Sequence, residues 1–109
     1  WQNESPDLKT FVYRYNRRVA EIPVSPSAEG YALLFTYVIN KILQHTERVN
    51  GEGNIQLHAV RVHETATGYA EAFQEDLKLA RFQLKDIHFS EGIVAEWKST
   101  DWWDKLLEA

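Results

Sequence analysis

Cysteine and methionine are both absent from these 109 residues, and each absence removes something. Without a thiol the stretch holds no disulfide, no zinc–thiolate site and no cysteine nucleophile. Without Met, and with Trp1 at its head, the sequence reads as a mature, trimmed or partly represented chain. Proline is held to three residues and glycine to five, so collagen-like and low-complexity classes drop out. No apolar run reaches the length of a membrane span, and no basic-then-apolar leader pattern opens the sequence. Positive charge is short as well: 12 Lys and Arg stand against 16 Asp and Glu, a net charge of −4. That balance argues against nucleic acid or an anionic membrane as the main partner. Arg14, Arg17 and Arg18 form the one basic cluster and read as a solvated helix face. A cytoplasmic setting is the default expectation.

What is present is ordinary apolar content with a generous aromatic share, four Trp, five Tyr and five Phe. A single domain over residues 1–109, with a small core, is expected at this length. Ser5-Pro6-Asp7 is a helix start: a capping hydroxyl, a proline at the first helical position and an acid at the positive end of the dipole. Leu8, Phe11, Val12, Tyr15, Val19 and Ile22 follow at helical spacing and predict an amphipathic helix that packs on something apolar and ends at Pro23. Ser25-Pro26, with Glu29 in the first turn, repeats the signal. Tyr31, Leu34, Phe35, Val38 and Ile42, widened by Leu33, Ile39 and Leu43, predict a second helix to about His45. Glu47 to Asn54 reads as a loop.

Ile55 to Thr67 reads as a strand that ends abruptly in His63-Glu64-Thr65, and Tyr69 to Phe73 as a strand returning antiparallel after a turn at Gly68. A helix is the competing reading of that return, because Tyr69, Phe73 and Leu77 also recur every four residues. Phe82 to Trp97 patterns as a further strand, with Gly92 a bulge or kink. Asp101-Trp102-Trp103-Asp104 opens a short terminal helix whose tryptophans dock on the body or on a neighbouring subunit. The sum is an α+β protein, two helices packed on one face of an antiparallel sheet. A sheet this small leaves open edges, which pairing with other subunits would cover.

Glu64 is the residue that needs explaining. It shares strand parity with Val60 and Val62, so its carboxylate sits at the rim of an apolar face. Such a group is costly unless paired. Either the strand end simply turns into solvent, or the carboxylate waits for a ligand with N–H donors. The four histidines do not suggest a metal site by spacing: His58 and His63 lie five apart on one strand, and His45 and His88 fall in other elements. Neither a hydrolase nucleophile turn nor a phosphate-binding glycine loop is present, since Gly51-Glu52-Gly53 matches neither fingerprint.

Two separated motifs go further. Ser25-Pro26-Ser27-Ala28-Glu29-Gly30-Tyr31-Ala32 resembles the N-P-T-A-E-N-x-A helix start of the 6-pyruvoyl- and 6-carboxy-tetrahydropterin synthase family. Val60-Arg61-Val62-His63-Glu64-Thr65, followed by Ala66 to Glu71, resembles that family's V-x-V-x-E-T strand end and hairpin. The resemblance implies a tunnelling fold, a ββααββ unit whose subunits join sheets into a barrel, usually a hexamer of two stacked trimers. It implies a pterin substrate of the dihydroneopterin-triphosphate kind, and zinc-assisted loss of triphosphate with rearrangement of the side chain. It also implies that Glu64 anchors the pterin ring, with Thr65 assisting through its backbone or hydroxyl.

The family's two N-terminal strands, which carry three zinc-binding histidines and a catalytic cysteine, have no counterpart in this sequence. The implied zinc therefore finds no ligands in these residues, and an N-terminal segment, either missing from them or supplied as another chain, is expected. The family's Asp-His pair before the second helix is also missing from Tyr15 to Ile22. The stretch from about Phe82 reads as a tryptophan-rich extension. Two other readings follow from these departures: a non-catalytic assembly subunit of the same fold, or an unrelated α+β interaction domain anchored by Trp97, Trp102 and Trp103.

Overall fold

Residues 1–50, 56–99 and 101–108 are described by the computed structural model, with the side chains of 47–50 left aside. The first helix, α1, spans Pro6–Tyr15, and its start is the one the sequence announces: the Leu8 N–H donates to Ser5 Oγ at 3.2 Å. Its end is earlier than expected. Asn16 takes extended backbone angles while its side-chain amide donates to the Val12 carbonyl at 2.9 Å, which closes the last turn. Val19 and Ile22, expected on the helix stripe, flank a short strand instead. That strand, β1 (Ala20–Glu21), pairs antiparallel with β4 (His88–Phe89), a long-range partner that local spacing does not reveal. The remaining stripe is largely uncovered among the described residues: Leu8, Phe11 and Tyr15 are 44%, 59% and 66% exposed.

Helix α2 covers Ala28–Asn50, with Glu29 in its first turn. Its cap is Ser27, whose Oγ accepts the Gly30 N–H at 3.1 Å and whose carbonyl accepts the Tyr31 N–H at 2.9 Å. Gly30 is required here, because a Cβ at that position would lie 2.2 Å from the Ser25 carbonyl oxygen. The helix passes the expected end at His45, taking up 47–50 from the expected loop; positions 51–55, including the expected strand start at Ile55, lie outside the described residues.

The hairpin forms as read. Strands β2 (Ala59–His63) and β3 (Tyr69–Phe73) are antiparallel, with Val60 opposite Ala72 and Val62 opposite Ala70. The helical alternative for Tyr69 to Leu77 is excluded. Strand β2 begins later than expected, at Ala59, and β3 stops where the Phe73 N–H turns to Asp76 Oδ2 at 2.8 Å. Helix α2 packs along this hairpin.

The expected long strand from Phe82 to Trp97 is corrected by the structure. After a 3-10 turn at Gln74–Leu79 the segment contains a second 3-10 turn (Leu84–Asp86), the two residues of β4, and a short helix α3 (Glu91–Val94). Asp86 Oδ2 accepts the Gln83 N–H at 2.8 Å and closes the second turn, breaking the alternation that had looked strand-like. Gly92 lies in α3 rather than in a bulge; a Cβ there would fall 2.2 Å from the Arg17 carbonyl oxygen. The terminal helix, α4, spans Trp102–Leu107. The described architecture is thus α+β with two separate two-stranded antiparallel ladders, not one sheet carrying two helices side by side. The core joins α2 to the chain beyond the hairpin: Leu34 packs with Phe82, Leu84, Ile87, Trp103 and Leu106.

Candidate functional site

The hairpin has two unlike faces, as the period-2 rule demands. Val60, Val62, Ala70 and Ala72 lie on the side that α2 covers, and Ala72 is buried. The other side carries Arg61, His63, Tyr69 and Glu71. Arg61 pairs with Glu71 at 3.3 Å and stands over the Tyr69 ring at 4.3 Å. The His63 and Tyr69 rings lie 5.4 Å apart.

Between the strands, Glu64 to Gly68 make a turn that satisfies itself. The Gly68 carbonyl accepts the N–H groups of Glu64 and Thr65 at 3.0 and 3.2 Å, and Thr65 Oγ1 accepts the Gly68 N–H at 2.8 Å. Two consequences follow for the residues picked out in the sequence. The Thr65 N–H is engaged inside the turn, so its hydroxyl proton is the donor it retains. The Glu64 side chain is exposed, and among the described residues no side chain pairs with its carboxylate. It sits one residue beyond β2, on the parity of Val60 and Val62, at the open end of the face that α2 covers.

The histidines do not converge. His58 stands edge-on to Phe73 at 5.6 Å, His63 meets Tyr69, and His88 lies in β4 opposite Glu21. His45, on α2, has a buried Nδ1 with no partner among the described residues. No group of three His, Asp or Glu side chains among the described residues is arranged to hold a metal. These residues therefore do not fit the zinc that the motif resemblance implies.

One polar cluster was missed in the sequence. The Tyr13 hydroxyl donates to Glu21 Oε2 at 2.6 Å, and Lys9 Nζ lies 3.4 Å from Glu21 Oε1. Burial, and then the Glu21 carboxylate, push the Tyr13 phenol up to about 12. The Tyr13 hydroxyl and the Lys9 ammonium hold Glu21 below its ordinary value, with His88 adding to the effect. Lys9 and Tyr13 are four apart on α1 and so share a face, a signal legible in the sequence. Their common partner was hidden because Glu21 was read as helical.

The three C-terminal tryptophans pack together, although Trp102 is still 37% exposed. Trp103 is buried in the core, and Trp102 packs edge-on against both Trp97 and Trp103, at 5.1 and 5.4 Å. They do not form the free anchor set of an unrelated interaction domain.

Two curated relatives, both named 6-carboxy-5,6,7,8-tetrahydropterin synthase and both from strains of Helicobacter pylori, are 39% and 38% identical to this chain over 111 residues. The match takes in 98% of this chain and 56% of each relative. Over nearly its whole length the chain is similar to these two 6-carboxy-tetrahydropterin synthases. It spans little more than half the length of the curated relatives it matches. No protein-family profile matches it. The synthase homology takes in both motifs, and with 98% of the chain aligned it also takes in the tryptophan-rich segment from Phe82. That segment is matched in these relatives as the motifs are, which counts against the reading of an unrelated domain.

Proposed function

We propose that this chain provides the ring-gripping part of a 6-carboxy-tetrahydropterin synthase, with Glu64 as the pterin anchor. The observation that carries the reading is the 39% identity to a synthase of that name across 98% of the chain. The exposed Glu64 carboxylate at the hairpin rim, unpaired among the described residues, supplies the chemistry. Two carboxylate oxygens match adjacent N–H donors on a pterin edge, and charge-assisted hydrogen bonds of this kind are short and about twice as strong as neutral ones. The turn is fixed by its own backbone bonds, so the carboxylate is held on a rigid support before any ligand arrives. The Thr65 hydroxyl assists as a second donor.

The substrate is of the dihydroneopterin-triphosphate kind, and the reaction a lyase-type loss from its side chain, carried out in the cytoplasm by a homo-oligomer of hexameric type. Zinc and the proton-transferring groups come from outside the residues described. The α+β unit is the helix-and-hairpin part of a tunnelling fold, whose barrel forms between subunits.

The test is pterin binding to the intact protein, followed by ring fluorescence. Glu64→Ala should weaken binding by about 10- to 100-fold, the equivalent of about 1.5–3 kcal/mol for hydrogen bonds to a charged group. Thr65→Val should cost less. Unchanged affinity in Glu64→Ala would remove the anchor from the reading.

A further inference from the structure

Away from the hairpin turn, α2, the Gln83–Lys85 turn and α4 enclose a cleft of about 450 Å3, lined by Tyr37, Lys41, Gln83, Leu84, Lys85, Leu106 and Leu107. Its volume lies in the range of small-molecule sites, about 300–1,000 Å3. Its make-up runs against the rest of the molecule. The protein carries a net charge of −4, yet among the described residues two lysines and no acid line this hollow. Among the described residues the ion pairs engage Lys9, Arg18, Arg61 and Lys105, and neither Lys41 nor Lys85 has a carboxylate partner. Asp86, the acid of the same turn, has one oxygen on the Gln83 N–H.

The floor is firm. Leu84 and Leu106 belong to the core, and the Tyr37 ring packs on Phe82 at 5.1 Å. Lys41, one turn along α2 from Tyr37, holds its ammonium 5.9 Å from the Tyr37 ring centre. Two uncompensated ammonium groups above an apolar, partly aromatic floor suit a ligand with one anionic group and one flat or apolar body. The charge would be met by Lys41 and Lys85, and the amide of Gln83 offers both a donor and an acceptor.

We propose that this cleft is a second ligand site, taking a small organic anion whose carboxylate or phosphate lies between Lys41 and Lys85 and whose body rests on Leu84, Leu106 and Leu107. It is separate from the Glu64 turn and does not depend on the function proposed for it, since none of its lining residues belongs to that turn.

Isotope-labelled intact protein titrated with phenyl phosphate, with benzoate and with inorganic phosphate tests this. Phenyl phosphate or benzoate should give saturable amide shifts at Tyr37, Lys41, Gln83, Lys85 and Leu107, with affinity of about millimolar or better. The tighter of the two identifies the head group. Inorganic phosphate, lacking the apolar body, should bind about tenfold more weakly. The double variant Lys41→Gln with Lys85→Gln, both at the surface of the cleft, should lose about tenfold or more in affinity while retaining the wild-type spectrum elsewhere. Shifts that do not saturate, shifts confined to other surfaces, or a double variant that binds like wild type would each overturn the proposal.

Discussion

Ser90 shows how much one side chain can hold at the residue scale. It is buried, its hydroxyl donates to the Arg17 carbonyl at 2.8 Å, and the same oxygen accepts the Val19 N–H at 2.9 Å. Its own N–H donates to the Val19 carbonyl at 2.8 Å. Three bonds from one residue thus fix the strip between α1 and β1. Ser90→Ala would keep the backbone bond and strand one donor and one acceptor in a part-buried place. The expected cost is about 1–3 kcal/mol, read as a lower denaturation midpoint with an unchanged slope. Ser90→Thr, which keeps the oxygen, should recover part of it. Nothing in the sequence marks Ser90 for this role, because its partners lie more than 70 positions away. The place of Glu64 just beyond β2 was legible by contrast, because strand parity is a local signal.

At the scale of elements, α1 is a helix with no buried residue, and Lys9 and Tyr13 tie it to β1 by meeting on Glu21. That attachment has two pH limits. Glu21 has a lowered folded pKa, so its contribution is present above the ordinary carboxylate range and is lost as pH falls below it. Tyr13 is raised from 10.0 to about 12, so its contribution is intact below about 10 and is lost as pH climbs toward about 12. Amide protection along α1, taken relative to the intrinsic exchange rate at each pH, should therefore be highest at intermediate pH and should fall at both ends. In Glu21→Gln the Tyr13 titration, followed by NMR, should move partly back toward its ordinary value; only partly, because burial is the larger cause. An unmoved Tyr13 would contradict the pairing. The elements also show what a sequence can disclose. Both helix starts and the hairpin were readable, since caps, prolines and alternation are signals within a few residues. The end of α1 and the turns from Leu84 to Val94 were not, because the β1–β4 pairing and the packing on α2 decide them across the length of the chain.

At the scale of the whole molecule, α2 is the common wall, with the hairpin packed along it and the core formed between it and the segment from Phe82 to Leu106. Leu106 is 3% exposed in that core, and Leu106→Ala should cost about 2–5 kcal/mol, the sum of lost burial and the cavity left behind. Thermal unfolding of the intact protein checks it; a loss under about 1 kcal/mol would mean that the core does not depend on α4.

The order in which a ribosome makes these pieces gives that arrangement a further meaning. The hairpin joins neighbours in the chain and can close against α2 as soon as it emerges. Leu34 waits longer, for Phe82, then Ile87, and last Trp103 and Leu106, about 70 residues behind it. At a synthesis rate of about 5–20 residues per second, the apolar flank of α2 meets the cell for several seconds before its own chain can cover it. Chaperone contact during synthesis should fall on this flank, and should end when α4 clears the exit tunnel.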